Sequence, residues 1–237
     1  MSKKLLVIGA HSADFVWRSA GTIALVTAQS GSASVIALSY GERGESGELW
    51  KEPNQTVEYV KHIRHQEAES AAEAVGAHFY CMNLGDYPLN ISDAAMDQLV
   101  EQIRDIQPDI ILTHTPVDPF NPDHPVAYQA VQRARLLASG AGVASAFHRI
   151  KPPDLYLFEP HQPELCEFFP NTFVDITPVF EQKRKAMEVM QAQSYLQDYY
   201  AELAARRGNH ARRISGMSEI KYAEAFQRTL PWVVKSL

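Results

Sequence analysis

The sequence is poor in cysteine: Cys81 and Cys166 are the only two among 237 residues. Two cysteines cannot build a disulfide framework, so we expect a core held by packing and a reducing, cytoplasmic location. No run of about 18 apolar residues occurs, which excludes a membrane-spanning helix by sequence. The apolar stretch 5–10 behind the basic amino terminus is too short for a secretory signal and reads better as a buried strand.

Positive charge is also scarce. Lysine and arginine number 22 against 28 acidic residues, a net charge of −6. No basic stripe offers a footprint for a phosphate backbone, so nucleic acid is not an expected partner. Apolar residues make up 46% and charged residues 21%, a composition that excludes a disordered chain and a coiled coil. We predict one domain over residues 1–237, because no segment reads as a linker.

Apolar runs alternate with helical patterns along most of the chain. Strands are predicted at 5–10, 34–40, 79–84, 109–113, 155–158 and 173–176, and helices at 15–29, 57–75, 94–106 and 126–138. Repeated strand–helix–strand crossovers predict an α/β fold, a mostly parallel sheet with helices on both faces. The carboxy-terminal region is predicted to be helical, with helices at 178–207 and 217–228 separated by a glycine.

Reactive side chains collect where the predicted strands end. His11 and Asp14 follow the first strand, and His114, Asp118 and His124 follow the fourth. The carboxyl ends of parallel strands share one edge of a sheet, where ligands bind. Two imidazoles and one carboxylate, from His11, Asp14 and His124, match the ligand set of a catalytic zinc ion with an open position, although Fe²⁺ or Mn²⁺ would accept the same donors. The alternative for His11 is a loop histidine bonded to the backbone.

Three segments resemble motifs of one family. Residues 7–14 read Val-Ile-Gly-Ala-His-Ser-Ala-Asp and resemble the first motif of the PIG-L/LmbE-like zinc de-N-acetylases. Residues 113–124 resemble the second motif, and residues 222–226, Tyr-Ala-Glu-Ala-Phe, resemble a signature near the family's carboxy end. The resemblance covers essentially the whole chain. It implies a Rossmann-like, LmbE-like sheet with Zn²⁺ held by His11, Asp14 and His124.

The chain departs from that family at two positions. Typical members carry the general-base aspartate where this chain has Ala13, and a histidine where it has Asn121. Loss of a general base typically costs ~10²–10⁴-fold in rate, so amide hydrolysis in the usual way is not expected. The pattern Ala-His-Ser-Ala-Asp followed by Phe-Val-Trp-Arg is similar instead to a hydratase branch of the family. These hydratases add water to a carbon–carbon double bond of 4-oxalomesaconate (4-carboxy-2-hydroxymuconate) in gallate and protocatechuate degradation.

This resemblance implies a metal-dependent hydratase with a small-molecule tricarboxylate as substrate and 4-carboxy-4-hydroxy-2-oxoadipate as product. The proton acceptor that replaces Ala13 is expected from the same edge of the sheet. Glu48 is the first candidate, because it lies in a glycine-rich loop whose backbone can approach a ligand closely. His161, after the fifth strand, is the second, and the two would form an acid–base pair. For both, the alternative is an ordinary loop side chain in solvent.

Substrate carboxylates call for cations and hydrogen-bond donors. Arg18, Arg43 and Arg212 are the predicted cations, because a guanidinium binds a carboxylate at two points. Ser12 and Asn121 are predicted as further substrate contacts.

The stripe 187–196 suggests helix packing or a subunit contact, and we expect a homo-oligomer. His114 and Asp118 are expected to orient His124 from behind. Two other functions remain open: a zinc de-N-acetylase of an N-acetyl sugar conjugate, and an inactive member that binds a ligand.

Overall fold

The computed structural model describes residues 2–234 of the chain. The strands are β1 (Lys4–Gly9), β2 (Ser32–Ala37), β3 (His78–Cys81), β4 (Ile110–Thr113), β5 (Asp154–Phe158), β6 (Thr172–Asp175) and β7 (Ala223–Arg228). The helices are α1 (Asp14–Ala28), α2 (Val57–Ala74), α3 (Asp93–Ile106), α4 (Asp123–Ser139), α5 (Phe180–Glu188) and α6 (Gln197–Ser215). The strands form one sheet in the order β3-β2-β1-β4-β5-β7-β6.

The first five strands run parallel to one another, which confirms the predicted α/β fold with a mostly parallel sheet. Alternate residues of β1 face opposite sides: Val7 belongs to the core that α1, α2, α5 and α6 share, whereas Leu6 and Ile8 belong to the core that α3 and α4 cover. Because both faces of the sheet are covered, the central strands are apolar throughout rather than alternating. Within residues 2–234, no helix combines the length and the apolar character that crossing a bilayer requires.

The prediction of a second carboxy-terminal helix at 217–228 is wrong. Residues 223–228 form β7, which pairs antiparallel with β5 on one side and β6 on the other. This segment is a strand because it pairs with strands from distant parts of the chain, and its local sequence pattern could not show that pairing. Gly208 does not end a helix either: α6 runs through it, and a Cβ there would lie 2.1 Å from the carbonyl oxygen of Lys221.

A buried ion pair joins α1 to the last strand. The carbonyl of Trp17, which a regular helix would pair with the amide of Gly21, accepts a hydrogen bond of 2.8 Å from Lys183 Nζ. The carboxylate of Glu224 in β7 accepts from the amides of Gly21 and Thr22, at 2.9 and 2.8 Å, and lies 2.6 Å from Lys183 Nζ. The first-motif helix and the carboxy-terminal signature are therefore in direct contact.

The centre of the sheet defines where a site can form. Strands β1 and β4 are neighbours, yet the connection from β1 leads to β2 on the far side. Such a reversal in strand order leaves a crevice beyond the carboxyl ends of the two strands. The loops that follow β1 and β4 meet there.

Candidate metal centre and active site

Three side chains converge in this crevice. One ligand atom from each of His11, Asp14 and His124 lies within 4.8 Å of the others, and all three residues are buried. His11 Nδ1 lies 3.6 Å from Asp14 Oδ2, and His124 Nε2 lies 3.7 Å from Asp14 Oδ1. These two imidazole nitrogens have no hydrogen-bond partner in the described part of the chain, although both are buried. An unpartnered buried nitrogen is costly, so the donor set fits a bound cation.

The opposite nitrogen of each imidazole faces a carboxylate. His11 Nε2 lies 3.3 Å from Asp123 Oδ2, and His124 Nδ1 lies 2.7 Å from Asp118 Oδ2. Burial opposes the ionisation of Asp118, but the hydrogen bond to His124 prevails and lowers the pKa of Asp118 to about 2. Carboxylates in this position fix the tautomer and orientation of a metal-binding histidine. Asp118 therefore orients His124 as expected, and Asp123 does the same for His11, a role that the sequence did not reveal.

Asp14 is held from two sides. Its Oδ2 lies 3.0 Å from His114 Nε2, and its Oδ1 accepts a hydrogen bond of 2.6 Å from Arg18. Burial alone would raise the pKa of Asp14, but pairing with His114 and Arg18 holds that pKa well below its usual range. The ring of His114 also stacks on that of His124, with centroids 3.9 Å apart. His114 thus contacts two of the three converging side chains at once.

The glycine-rich loop after β2 brings Glu45 to the ligands. Gly41 adopts a φ of 71°, and a Cβ there would lie 2.9 Å from Glu45 Cβ and 3.1 Å from His11 Cβ. Glycine is needed for both the turn and the close approach. Glu45 Oε1 lies 3.8 Å from His11 Nδ1 and accepts a hydrogen bond of 2.7 Å from Asn121. Its other oxygen, Oε2, accepts from Gln193 at 2.7 Å.

Glu48, three residues later, lies elsewhere. Its carboxylate pairs with Lys51 Nζ at 2.6 Å, and its side chain is 40% exposed. The loop carries a third carboxylate, Glu42, whose side chain is fully buried and has no hydrogen-bond partner within residues 2–234. Each of the three glutamates directly follows a glycine, so the local sequence could not show which of them reaches the site.

A cavity of about 270 Å³ reaches the site at His124, the one of the three converging residues that lines it. The polar side chains Glu45, Asn121 and Gln193 line it as well, together with the aromatic side chains Tyr87, Phe120 and Tyr195. The lining includes no lysine or arginine from residues 2–234. Polar donors surrounded by aromatic walls are typical of a small-molecule site.

His161 lines the same cavity, as the sequence predicted for a residue after β5. The residue is exposed as a whole, but its ring packs against those of Tyr199 and Tyr200. Burial in this packing, followed by the positive charge of Arg18, lowers the pKa of His161 to about 4. The imidazole is therefore neutral near pH 7 in the free site.

The remaining predicted substrate contacts are spread more widely. Asn121 lines the cavity, and Arg18 is buried behind Asp14. Ser12 and Arg212 donate hydrogen bonds to backbone carbonyls, and the side chain of Arg43 is 49% exposed and bonded to another carbonyl. The structure therefore brings Asn121 into the cavity lining and leaves Ser12, Arg18, Arg43 and Arg212 outside it.

The comparison with protein families decides the relationship. Residues 6–135, more than half of the chain, match the model of the PIG-L family, described as GlcNAc-PI de-N-acetylase. The chain belongs to this family.

Two comparisons show similarity to hydratases over nearly the full length of the chain. The chain is 42% identical to 4-oxalmesaconate hydratase from Pseudomonas putida, over 99% of this chain and 92% of that protein. It is also similar to the crystal structure of 4-carboxy-2-hydroxymuconate hydratase from Pseudomonas putida, with a TM-score of 0.96, 42% identity and 99% coverage of both chains.

Similarity to deacetylases is weaker. A probable N-acetyl-alpha-D-glucosaminyl L-malate deacetylase from Bacillus cereus is 26% identical over 86% of this chain and 90% of that protein. N,N'-diacetylchitobiose deacetylase from Pyrococcus horikoshii is 22% identical, covers 95% of this chain and 83% of its own, and has a TM-score of 0.77, a likeness of fold alone.

The fold shows where Ala13 lies, the residue at which this PIG-L chain lacks the usual aspartate. Ala13 occupies the N-cap position of α1, is buried and belongs to the apolar core beside Phe15 and Val16. A methyl group there cannot accept a proton. Glu45 approaches His11 from the opposite loop, so a carboxylate is present at the centre without one at position 13.

Proposed function

We propose that this chain is a metal-dependent hydratase that adds water to a carbon–carbon double bond of 4-carboxy-2-hydroxymuconate or its keto form, 4-oxalomesaconate. The product would be 4-carboxy-4-hydroxy-2-oxoadipate. The observation that carries the proposal is the similarity over 99% of the chain to 4-oxalmesaconate hydratase and to the crystal structure of 4-carboxy-2-hydroxymuconate hydratase, both from Pseudomonas putida. Ala13 supports it, because the site lacks the carboxylate that serves as base in typical deacetylases.

We assign Zn²⁺ to His11, Asp14 and His124, on the strength of the two unpartnered imidazole nitrogens and the buried carboxylate. When bound, the ion supplies Lewis acidity toward substrate oxygen atoms and lowers the pKa of water. Arg18 and His114 hold Asp14 in its ionised form, and Asp118 keeps the Nε2 atom of His124 free for the ion.

Glu45 takes over the role that the sequence assigned to Glu48. Its carboxylate accepts the proton of the attacking water, while the amides of Asn121 and Gln193 keep both of its oxygens oriented. His161, on the same cavity, delivers a proton to the substrate carbon. An anionic substrate raises the pKa of a neighbouring imidazole, so His161 acquires its proton as the substrate binds.

The substrate carboxylates meet neutral donors rather than arginines. Asn121 and Gln162 line the cavity together with Tyr87 and Tyr195, and all four side chains can donate hydrogen bonds. Arg18 acts through Asp14 in this scheme. The single domain, the homo-oligomer and the cytoplasmic location stay predictions.

The direct test is incubation of the zinc-loaded protein with 4-carboxy-2-hydroxymuconate. Hydration breaks the conjugation, so the ultraviolet absorbance must fall and mass spectrometry must show one added water. Chelation must stop the reaction, and zinc must restore it. An unchanged absorbance, or release of acetate from an N-acetylglucosamine conjugate instead, would refute the proposal.

A further inference from the structure

Gln193 connects the loop carboxylate Glu45 to the interior of the protein. It lies in the short helical segment Gln191–Leu196 between α5 and α6, where its φ of −137° and ψ of 34° depart from helical values. Its side chain is buried and bonds at both ends. Nε2 donates to Glu45 Oε2 at 2.7 Å, and Oε1 accepts from Arg64 at 2.9 Å.

Arg64 determines which end of the amide faces the site. A guanidinium only donates hydrogen bonds, and an ionised carboxylate only accepts them. The oxygen of Gln193 must therefore face Arg64, and its nitrogen must face Glu45. If the amide were reversed, its oxygen would face a carboxylate oxygen of Glu45, and its NH₂ group would face an N–H donor of Arg64. Trp17 Nε1 also donates to Oε1, at 3.4 Å, so the direction of this amide follows from two donors at one end and one acceptor at the other.

Helix α2 holds both the backbone of the segment Gln191–Leu196 and the side chain of Gln193. Arg64 has no exposed surface, and its NH1 donates to Glu67 Oε2 at 2.8 Å. The other oxygen of Glu67 accepts a hydrogen bond of 2.8 Å from the amide of Ala192. A buried pair on α2 therefore holds both the backbone at residue 192 and the amide of Gln193. The pair is fully bonded, as a buried ion pair must be to persist.

We propose that Gln193 is a positioning residue that holds Glu45 at the reaction centre, and that Arg64 sets its orientation. This inference rests on the proposed function, because it assigns a partner to the proton acceptor of that reaction. Gln193 and Arg64 act through Glu45. Their loss should therefore affect turnover more than substrate binding, and should have no effect once Glu45 is gone.

The test is a double-mutant cycle on turnover. Gln193→Met removes the hydrogen bond to a charged group and should lower kcat about 10- to 100-fold, with KM nearly unchanged. Gln193→Glu keeps an acceptor for Arg64 but sets a second carboxylate against Glu45, and should lower kcat at least as far. In a Glu45→Gln background, Gln193→Met should cause no further loss. Gln197→Met is the matched control, because within residues 2–234 that amide donates only to the carbonyl of Met187, and its kcat should equal that of the wild type.

Arg64→Lys supplies a second route, since it keeps the charge opposite Glu67 and loses the planar fork. It should lower kcat in the same direction as Gln193→Met. In NMR spectra of the metal-free protein, the side-chain amide signal of Gln193, assigned by its loss in Gln193→Met, should move in both Arg64→Lys and Glu45→Gln. Equal losses of kcat from Gln193→Met in the two backgrounds, or an amide signal that ignores Glu45→Gln, would overturn the inference. A wild-type protein without hydratase activity would refute the proposed function, and the NMR result would still decide the contact.

Discussion

Replacing either of two glutamates in one loop separates the two candidate proton acceptors. Glutamine has nearly the same shape as glutamate, so Glu45→Gln removes the proton acceptor with little change in volume. Both Glu45 oxygens accept hydrogen bonds from amide nitrogens, those of Asn121 and Gln193. A glutamine at position 45 must turn its own NH₂ group toward one of these donors, so the variant loses orientation as well as basicity.

The expected cost follows from both effects. Loss of a general base lowers kcat ~10²–10⁴-fold, which corresponds to about 3–5 kcal/mol of activation free energy. Glu48→Gln is the matched control, because it changes only an exposed pair with Lys51. Exposed ion pairs contribute about 0–1 kcal/mol to stability, so this variant should keep the wild-type kcat.

Initial rates of absorbance loss with 4-carboxy-2-hydroxymuconate provide the assay, with the zinc content of each variant measured beforehand. Equal zinc content ensures that a slow variant is not simply a metal-free one. Full turnover in Glu45→Gln would show that another group accepts the proton. Slow turnover in Glu48→Gln, at normal zinc content, would return that role to the residue chosen from sequence.

Three further changes test the support of the site and of the fold. Asp118→Asn should weaken zinc binding about 10- to 100-fold in a competition titration, because it removes the carboxylate that orients His124; unchanged affinity would contradict that role. Burial raises the pKa of Glu42 above its ordinary 4.5, so the folded protein should lose stability as the pH rises from 4.5 through that raised pKa. Glu42→Gln should therefore raise the free energy of unfolding in urea by about 1–3 kcal/mol near pH 8 and by little below pH 4.5, and an equal gain at both values would be inconsistent with the shift. Gly208→Ala sets a Cβ against the backbone of Lys221 and should lower Tm by at least about 4 °C, and an unchanged Tm would show that α6 can move away.

The parallel part of the fold could be predicted because its information is local. Buried strands such as 5–9 are apolar in every position, and their helices carry ordinary start and stop signals. The local sequence of residues 223–228 does not determine their structure. Ala223 and Ala225 suit a helix as well as a strand, and pairing with β5 and β6 makes the segment a strand. The helical prediction failed there for this reason.

The candidate site divides in the same way. His11, Asp14 and His124 could be chosen because they follow strands that end at one edge of the sheet. Glu45 could not be chosen over Glu48, because the turn at Gly41 that brings it to His11 is visible only in three dimensions. Arginines were predicted to bind the substrate because the expected substrate is anionic, but the guanidinium of Arg18 is paired with Asp14.

The buried ion pair of Glu224 and Lys183, which bonds to the middle of α1, determines when the metal site can form during synthesis of the chain. All three candidate metal ligands have been synthesised once residue 124 is added, and the last strand ends 104 residues later, at Arg228. The amides of Gly21 and Thr22, in the helix that carries Asp14, find their partner only when residue 224 arrives. A nascent or truncated product ending before that point would carry every ligand without the framework that aligns them, so we expect metal loading to follow release of the completed polypeptide.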